Sequence, residues 1–225
     1  KNYGLSKSIV SGVSEVLNNF DKAIILEDDV VTSPLFLEFM NRALDQYKNN
    51  PDVWHISGWN YPNNKSGANK FNQAFFWKVM NCWGWGTWAD RWLHYKKNPE
   101  SLINDWSEKK ISQFNLGNRF NFWKQVEENN NGKIDTWAIF WMTTIFENSG
   151  FCLNPLKSYV RNIGHDNSGE NSVYTSNFNS KLSTQKVNIW PNVNEDFESL
   201  INNIANQNFK QEKLNLLGYI MNYLK

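Results

Sequence analysis

The chain begins with a helical pattern of apolar residues that leads into a short apolar segment. Apolar side chains recur every three or four positions over residues 2–18, which predicts an amphipathic helix. The four apolar residues of Ala23–Leu26 lie between polar ones, a pattern that predicts a buried strand and is typical of a parallel sheet. Ser33 is a favourable N-cap and Pro34 a favourable first residue, so a second helix is predicted from there to about Lys48.

Two more buried strands follow this helix. They are predicted over residues 53–58 and 73–80, on either side of a polar, glycine-containing loop at residues 61–72. The resulting order of helix, strand, helix and strand predicts an α/β fold, with helices on both faces of one sheet in three layers.

The second half of the chain is predicted to be mainly helical. Helices are predicted over residues 89–95, 107–130 with a break near Gly117, 135–147, 195–206 and 210–224, and short strands over residues 151–153 and 158–162. Residues 1–190 are expected to form the main domain, and residues 191–225 a helical appendage packed against it. A dimer contact or a membrane-surface position are the alternatives for the last helix.

Three consecutive carboxylates, Glu27, Asp28 and Asp29, follow the first predicted strand and are called the acidic triad below. The carboxyl ends of strands in open α/β sheets face the ligand crevice, so the triad is placed where chemistry is usually done. Neighbouring carboxylates repel one another and are costly to bury without a cation. Because carboxylate oxygens are preferred ligands of Mn²⁺ and Mg²⁺, the triad predicts a metal site. A solvated acidic loop is the alternative.

A glycine- and tryptophan-rich segment at residues 82–88 is the second candidate site. Glycines between tryptophans combine a tight backbone with exposed ring faces, which favours a binding loop built on Trp83, Gly84 and Trp85. The alternative is a turn whose rings fill the core. Two further residues are weaker candidates: Asp135, which could instead be a helix N-cap, and His165, which follows a predicted strand but lies in a polar loop.

Composition narrows the function classes. The net charge of the 225-residue chain is only +1, which argues against a nucleic-acid partner. The two cysteines, Cys82 and Cys152, are too few for a disulfide scaffold and indicate a reducing compartment. The sequence has no apolar run of transmembrane length and nothing typical of a signal peptide. We therefore expect a cytoplasmic protein, with the inner face of the membrane as a second location.

Several of these motifs together carry a family resemblance. In order, they are NYGLSKSIVSGVSEV, AIILEDDVVTSPLFLEFMNRAL, VWHISGWN, CWGWGTWADRW and IDTWAIFW. As an ordered set over Lys1–Asp166 they resemble bacterial sugar transferases related to N-acetylglucosaminyltransferase I, a glycosyltransferase family with the Rossmann-like GT-A fold. The resemblance also implies that the family's N-terminal nucleotide-binding segment would precede Lys1, so this chain is expected to lack it.

The resemblance implies transfer of a sugar from a nucleotide-sugar donor, a UDP-sugar above all, to a hydroxyl of a glycan or lipid-linked acceptor in polysaccharide biosynthesis. It implies Mn²⁺ or Mg²⁺ bound by Asp29 and, in some branches, by a histidine at the position of His165. Carried over in the same way, Asp28 contacts the donor ribose and Glu27 the transferred sugar.

The same resemblance places residues 83–88 in the donor–acceptor pocket and makes Asp135 the catalytic base. A single general base that deprotonates the attacking hydroxyl predicts inversion at the anomeric carbon. Three alternatives remain open from the sequence: a carbohydrate-binding module that stacks sugars on its tryptophans, a metal-dependent nucleotidyl- or phosphoryl-transfer enzyme, and a non-catalytic fragment.

Overall fold

The computed structural model describes residues 3–62, 73–164 and 181–209. Its helices are α1 (Leu5–Leu17), α2 (Phe36–Tyr47), α3 (Ala89–Trp92), α4 (Pro99–Asp105), α5 (Glu108–Phe114), α6 (Trp123–Asn130), α7 (Ala138–Glu147) and α8 (Glu198–Asn208). Its strands are β1 (Lys22–Ile25), β2 (Val30–Thr32), β3 (Val53–Ser57), β4 (Ala74–Trp77), β5 (Trp85–Trp88), β6 (Phe151–Pro155) and β7 (Val160–Asn162).

Five of the strands form one mixed sheet in the order β1-β5-β3-β6-β4, and β2 and β7 form a separate two-stranded ribbon. Only β3 and β6 pair in parallel, and the other neighbours are antiparallel. The prediction of a buried, parallel first strand is therefore wrong: β1 is a half-buried edge strand that pairs antiparallel with β5. A short apolar run reports burial against a core, but it carries no information about the direction of the neighbouring strand.

The directions of the strands nevertheless place the carboxyl ends of three of them at the same end of the sheet. Because β5 is antiparallel to both β1 and β3, those two strands point the same way, and β6 is parallel to β3. The carboxyl ends of β1, β3 and β6 therefore meet at one end of the sheet. We call it the carboxyl end, and the acidic triad follows β1 there.

Helices cover both faces of the sheet. An added Cβ at Gly86 of β5 would meet Met40 and Leu44 of α2, whereas the ring of the preceding Trp85 lies against Trp137 and Trp141 at the start of α7. Successive residues of a strand point to opposite faces, so α2 and α7 lie on opposite sides of the sheet. The predicted α/β class, with helices on both faces of one sheet, is therefore confirmed.

Most of the predicted helices are present with small changes in their bounds. The break near Gly117 is confirmed, since α5 ends at Phe114 and Gly117 has a φ of 68°. Helix α2 begins at Phe36, two residues later than predicted, because β2 occupies the residues after the triad and Ser33 Oγ accepts a hydrogen bond from Leu35 N at 3.2 Å. Helix α4 is an addition that the sequence pattern did not predict.

The described part of the predicted appendage belongs to the main hydrophobic core. Helix α8 and its flanking residues bury Phe197, Leu200, Ile204 and Phe209 in the same cluster as the sheet. The helix predicted over residues 210–224 lies outside the described residues. Within residues 3–62, 73–164 and 181–209, no helix has the length and apolar character needed to cross a membrane.

Candidate active site

The acidic triad is held by a tight turn between β1 and the β2–β7 ribbon. The backbone N–H of Val30 donates to the carbonyl oxygen of Glu27 at 3.2 Å, which closes the turn. Glu27 and Asp29 are half-buried and Asp28 is exposed. Pairing of β2 with β7 then brings the turn against the residues that follow β7.

Asp29 is the best-positioned carboxylate of the three. Its carbonyl oxygen accepts a hydrogen bond from Ile163 N at 2.8 Å, and its Oδ2 accepts one from Asn162 Nδ2 at 2.9 Å. The backbone of Gly164 passes so close that an added Cβ would lie 2.5 Å from Oδ2. The other carboxylate oxygen, Oδ1, is buried and has no hydrogen-bond partner among the described residues. Such an orphaned buried acceptor is costly unless a ligand satisfies it.

Glu27 is also poorly stabilised as an anion. Partial burial, and then the charges of Asp29 and Asp28, raise its pKa from 4.5 to about 7. A cation bound beside these carboxylates would reverse that effect, because an opposite charge favours the ionised form. The orphaned oxygen of Asp29 and the raised pKa of Glu27 therefore fit a divalent metal.

The described residues do not by themselves complete a metal site. Among them, no group of three or more His, Cys, Asp or Glu side chains is arranged to hold a metal ion. The predicted metal ligand His165 lies outside the described residues. The three carboxylates of the triad do not converge into such a group, so Asp29, whose Oδ1 is buried without a partner among the described residues, is the one of them that would hold a metal.

An aromatic cavity lies beside the triad at the carboxyl end of the sheet. It has a volume of about 240 Å³. The residues that line it are mostly aromatic or apolar, and they are Trp59, Tyr61, Met80, Asn81, Cys82, Trp83, Phe122, Gln125, Ala138, Ile139 and Met142. The Cys82 thiol connects the cavity with the triad: burial and then the nearby charge of Glu27 raise its pKa to about 12, and Asp29 adds to the effect.

The glycine- and tryptophan-rich segment is mostly a buried strand. Trp85 has no exposed surface and Trp88 is 3% exposed, since both belong to β5. The ring of Trp85 is stacked between those of His55 and Trp137, with centroid distances of 5.3 Å and 5.1 Å. The expected exposed ring face at Trp85 is therefore wrong, because neither face of the ring is open to a ligand.

The first two residues of the predicted donor segment have different surroundings. Trp83 is half-buried and lines the aromatic cavity, where its ring meets that of Trp59 edge to face at 4.7 Å. Gly84 has a φ of 59°, and an added Cβ would lie 2.8 Å from Val160 Cγ1. Its carbonyl oxygen accepts a hydrogen bond from Gly58 N at 2.6 Å. Gly84 thus allows the close packing of β3, β5 and the ribbon around the site.

Asp135 is placed outside the cavity and is paired with a lysine. Its side chain is 71% exposed and forms an ion pair with Lys97. The hydrogen bond from Lys97 is the main cause of a lowered pKa at Asp135, and a hydrogen bond from Ser6 adds to it. Helix α7 begins three residues later, at Ala138, so Asp135 is not its N-cap. None of the described hydrogen bonds or ion pairs joins Asp135 to the acidic triad.

Sequence reasoning missed most of the cavity wall. Phe122 and Gln125 come from the start of α6, Met142 from α7, and Tyr61 from the segment after β3. The three-residue spacing of Phe122 and Gln125 places them on one helix face, which is the one signal that the sequence offers. No protein-family model matches the chain.

Proposed function

We propose that this protein is a divalent-metal-dependent glycosyltransferase of the GT-A type, which moves a sugar from a nucleotide-sugar donor to an acceptor hydroxyl. The observation that carries the proposal is the position of the triad beside the aromatic cavity: Leu26, directly before the triad, lies against Gly84, and the preceding Trp83 lines the cavity. Such a donor requires a charged site for its diphosphate next to an uncharged site for its sugar.

In this proposal the acidic triad serves the donor. Asp29 would hold Mn²⁺ or Mg²⁺, and the bound ion would act as a Lewis acid that neutralises the diphosphate leaving group. The exposed Asp28 is available to the ribose hydroxyls of a UDP-sugar, and the half-buried Glu27, whose charge acts on the Cys82 thiol of the cavity wall, would contact the transferred sugar.

The aromatic cavity serves the sugar. Aromatic rings present flat apolar faces that pack against the C–H face of a pyranose, and Trp83 and Tyr61 both line the cavity. The acceptor would be a glycan or a lipid-linked saccharide, whose attacking hydroxyl must reach the anomeric carbon at the triad side of the cavity.

Asp135 is the proposed general base of an inverting displacement. Its lowered pKa keeps it ionised, and therefore able to accept a proton, over the physiological range. The ion pair with Lys97 makes it a weaker base than a free carboxylate, so acceptor binding would have to separate the pair.

The alternatives make different predictions. A carbohydrate-binding module that stacks sugars on Trp83, Trp85 and Trp88 is disfavoured, because two of these three rings are buried in β5. A nucleotidyl- or phosphoryl-transfer enzyme built on the same triad would release pyrophosphate or phosphate instead of a nucleoside diphosphate.

The test is a donor screen with and without metal. The protein is incubated with a panel of nucleotide sugars and mixed saccharide acceptors in Mn²⁺, and the nucleotide product is identified by chromatography. We expect UDP release that stops on EDTA addition and in Asp29→Ala. The matched control is Asp45→Ala, which removes an exposed carboxylate of α2 that pairs with Lys22. Full activity of Asp29→Ala in metal-free buffer would exclude the proposed role of the triad.

A further inference from the structure

Gln125 is a polar side chain of the aromatic cavity whose hydrogen-bonding capacity is unused among the described residues. Its backbone N–H donates to Phe122 O at 3.1 Å, and its carbonyl oxygen accepts from Asn129 Nδ2 at 2.7 Å. The side chain is half-buried and lines the cavity. Its amide makes no hydrogen bond to any residue in the described part of the chain, although an amide offers two donors and an acceptor.

Two other polar groups of the wall are already engaged or are weak. Asn81 Nδ2 donates to Asn154 Oδ1 at 2.8 Å and to Trp59 O at 3.4 Å. The Cys82 thiol is a poor hydrogen-bonding group. Within the described wall, the Tyr61 hydroxyl and the Gln125 amide are therefore groups without a hydrogen bond to a described residue, and of the two only the amide offers two donors and an acceptor.

The cavity selects against charge. None of the described residues that line it is Lys, Arg, His, Asp or Glu. A phosphate, carboxylate or ammonium group that entered would lose its hydration without an ionic partner in the wall, which is prohibitive in an apolar site. The triad next to it would repel an anion further. The ligand group that enters is therefore uncharged.

The volume of the cavity limits the ligand to one ring. At about 240 Å³ it is smaller than typical ligand sites, which span roughly 300–1,000 Å³ for a drug-sized molecule. A whole nucleotide sugar or an oligosaccharide does not fit inside. One sugar ring, with the rest of the molecule outside, is consistent with this size.

We propose that the aromatic cavity is a subsite for one uncharged pyranose ring and that Gln125 determines its specificity by hydrogen bonding to a ring hydroxyl. The inference rests on the proposed glycosyltransferase function and adds the class of sugar and the residue that reads it. In the preferred epimer, a ring hydroxyl forms a hydrogen bond with the Gln125 amide. An epimer with that hydroxyl inverted leaves the amide buried and without a hydrogen bond, which is costly. The ring belongs either to the donor sugar or to the acceptor, since both present the same chemistry.

The test is a binding titration that needs no turnover. Tryptophan fluorescence of the full chain is followed as methyl glycosides of glucose, galactose, mannose and glucuronic acid are added, and in parallel UDP and UDP-sugars with Mn²⁺. We expect one neutral epimer, free or as its UDP-sugar, to bind at least about 10-fold more tightly than the others. The glucuronide is expected not to bind.

Gln125→Leu and Gln125→Glu test whether Gln125 is the residue that recognises the sugar hydroxyl. We expect each to weaken the preferred epimer by about 10-fold or more and to abolish discrimination between epimers. Gln113→Leu, the same change on an exposed position of α5, is the matched control and should leave binding unchanged. If the ring comes from the donor, the variants weaken UDP-sugar but not UDP; if it comes from the acceptor, they weaken the free glycoside and spare UDP-sugar.

Two outcomes overturn the inference without touching the proposed function. One is equal binding of neutral and acidic glycosides by the wild-type chain. The other is unchanged epimer discrimination in both Gln125 variants while UDP release continues. Gln125-dependent binding of a neutral glycoside in a chain that releases no UDP from any donor would instead retain the subsite and reject the transferase.

Discussion

The side-chain amide of Asn162 donates to only one of the two carboxylate oxygens of Asp29. The Nδ2–Oδ2 distance is 2.9 Å, while Oδ1 is buried without a partner among the described residues. The bond fixes the orientation of the carboxylate and directs the free oxygen away from Asn162. This is the role that an outer hydrogen-bonding residue has around a metal ligand.

Asn162→Ala should weaken metal binding without removing a metal ligand. Loss of an outer hydrogen bond to a ligating carboxylate typically lowers metal affinity by about 10- to 100-fold. We expect this range for Mn²⁺ in a calorimetric titration. Arg161→Ala, which changes the exposed neighbour on the same strand, should titrate like the wild type. An unchanged Mn²⁺ affinity in Asn162→Ala would show that Asp29 does not need this bond.

Lys97→Met should move the pH dependence of catalysis if Asp135 is the base. The hydrogen bond and charge of Lys97 are the main causes of the lowered pKa of Asp135. Without them the pKa of this carboxyl rises, so the acidic limb of the pH–rate profile should shift to higher pH, while kcat at alkaline pH is retained. Lys124→Met, at another exposed lysine that pairs with Glu128, is the control. A profile that Lys97→Met leaves unchanged would remove Asp135 from the mechanism.

Gly84→Ala should destabilise the fold around the site. The left-handed backbone at φ 59° and the 2.8 Å approach to Val160 both oppose a side chain there. Strained backbone and overpacking each cost about 1–3 kcal/mol, so urea unfolding should show a loss of at least that size. Gly12→Ala in α1 is the matched control, because its Cβ would meet nothing within 4 Å. We expect it to stabilise the protein by about 0.5–1 kcal/mol, the helix-interior difference between Gly and Ala.

His55 should make the protein sensitive to mild acid. It is completely buried: Trp141 Nε1 donates to its Nδ1 at 3.2 Å, so its Nε2 carries the proton and donates to Asn81 O at 3.1 Å. Burial lowers its pKa from 6.5 to about 3. Below pH 6.5 the unfolded chain binds a proton at His55 that the folded protein does not bind until about pH 3. Stability is therefore fully present above pH 6.5 and falls as the pH drops below it.

The expected loss between pH 7.5 and 5 is about 2 kcal/mol, because the slope approaches roughly 1.4 kcal/mol for each pH unit below pH 6.5. It is measured as the difference in urea unfolding free energy between wild type and His55→Phe at each pH. The variant should be less stable at pH 7.5, because Trp141 and Asn81 lose their partner, and its stability should depend less on pH. His94→Gln, at an exposed position, should keep the wild-type dependence. Parallel curves of unfolding free energy against pH for wild type and His55→Phe would show that His55 does not cause the loss of stability in mild acid.

The spacing of apolar residues was sufficient to predict most helices and strands but not how they are arranged in the fold. The predicted helices at α1, α2, α3, α5, α6, α7 and α8, and the strands from β1 to β7 apart from β2 and β5, occur close to their expected positions. This is because apolar spacing reports which face of a local element is buried. The same pattern could not show that β1 pairs with β5 at the sheet edge, since pairing depends on residues far apart along the chain.

The candidate site divides in the same way. The sequence by itself determined the acidic triad, its place after a strand, and the presence of tryptophans and glycines nearby, because these are local facts about residue type. Only the tertiary structure decided that Trp85 is core and Trp83 is cavity wall, because burial depends on what packs from α2 and α7. The tertiary structure also decided that Asn162 holds Asp29, and that Gln125 faces the cavity, 96 residues beyond Asp29. Contacts of that length are set by the way the whole chain packs, and no local pattern encodes them.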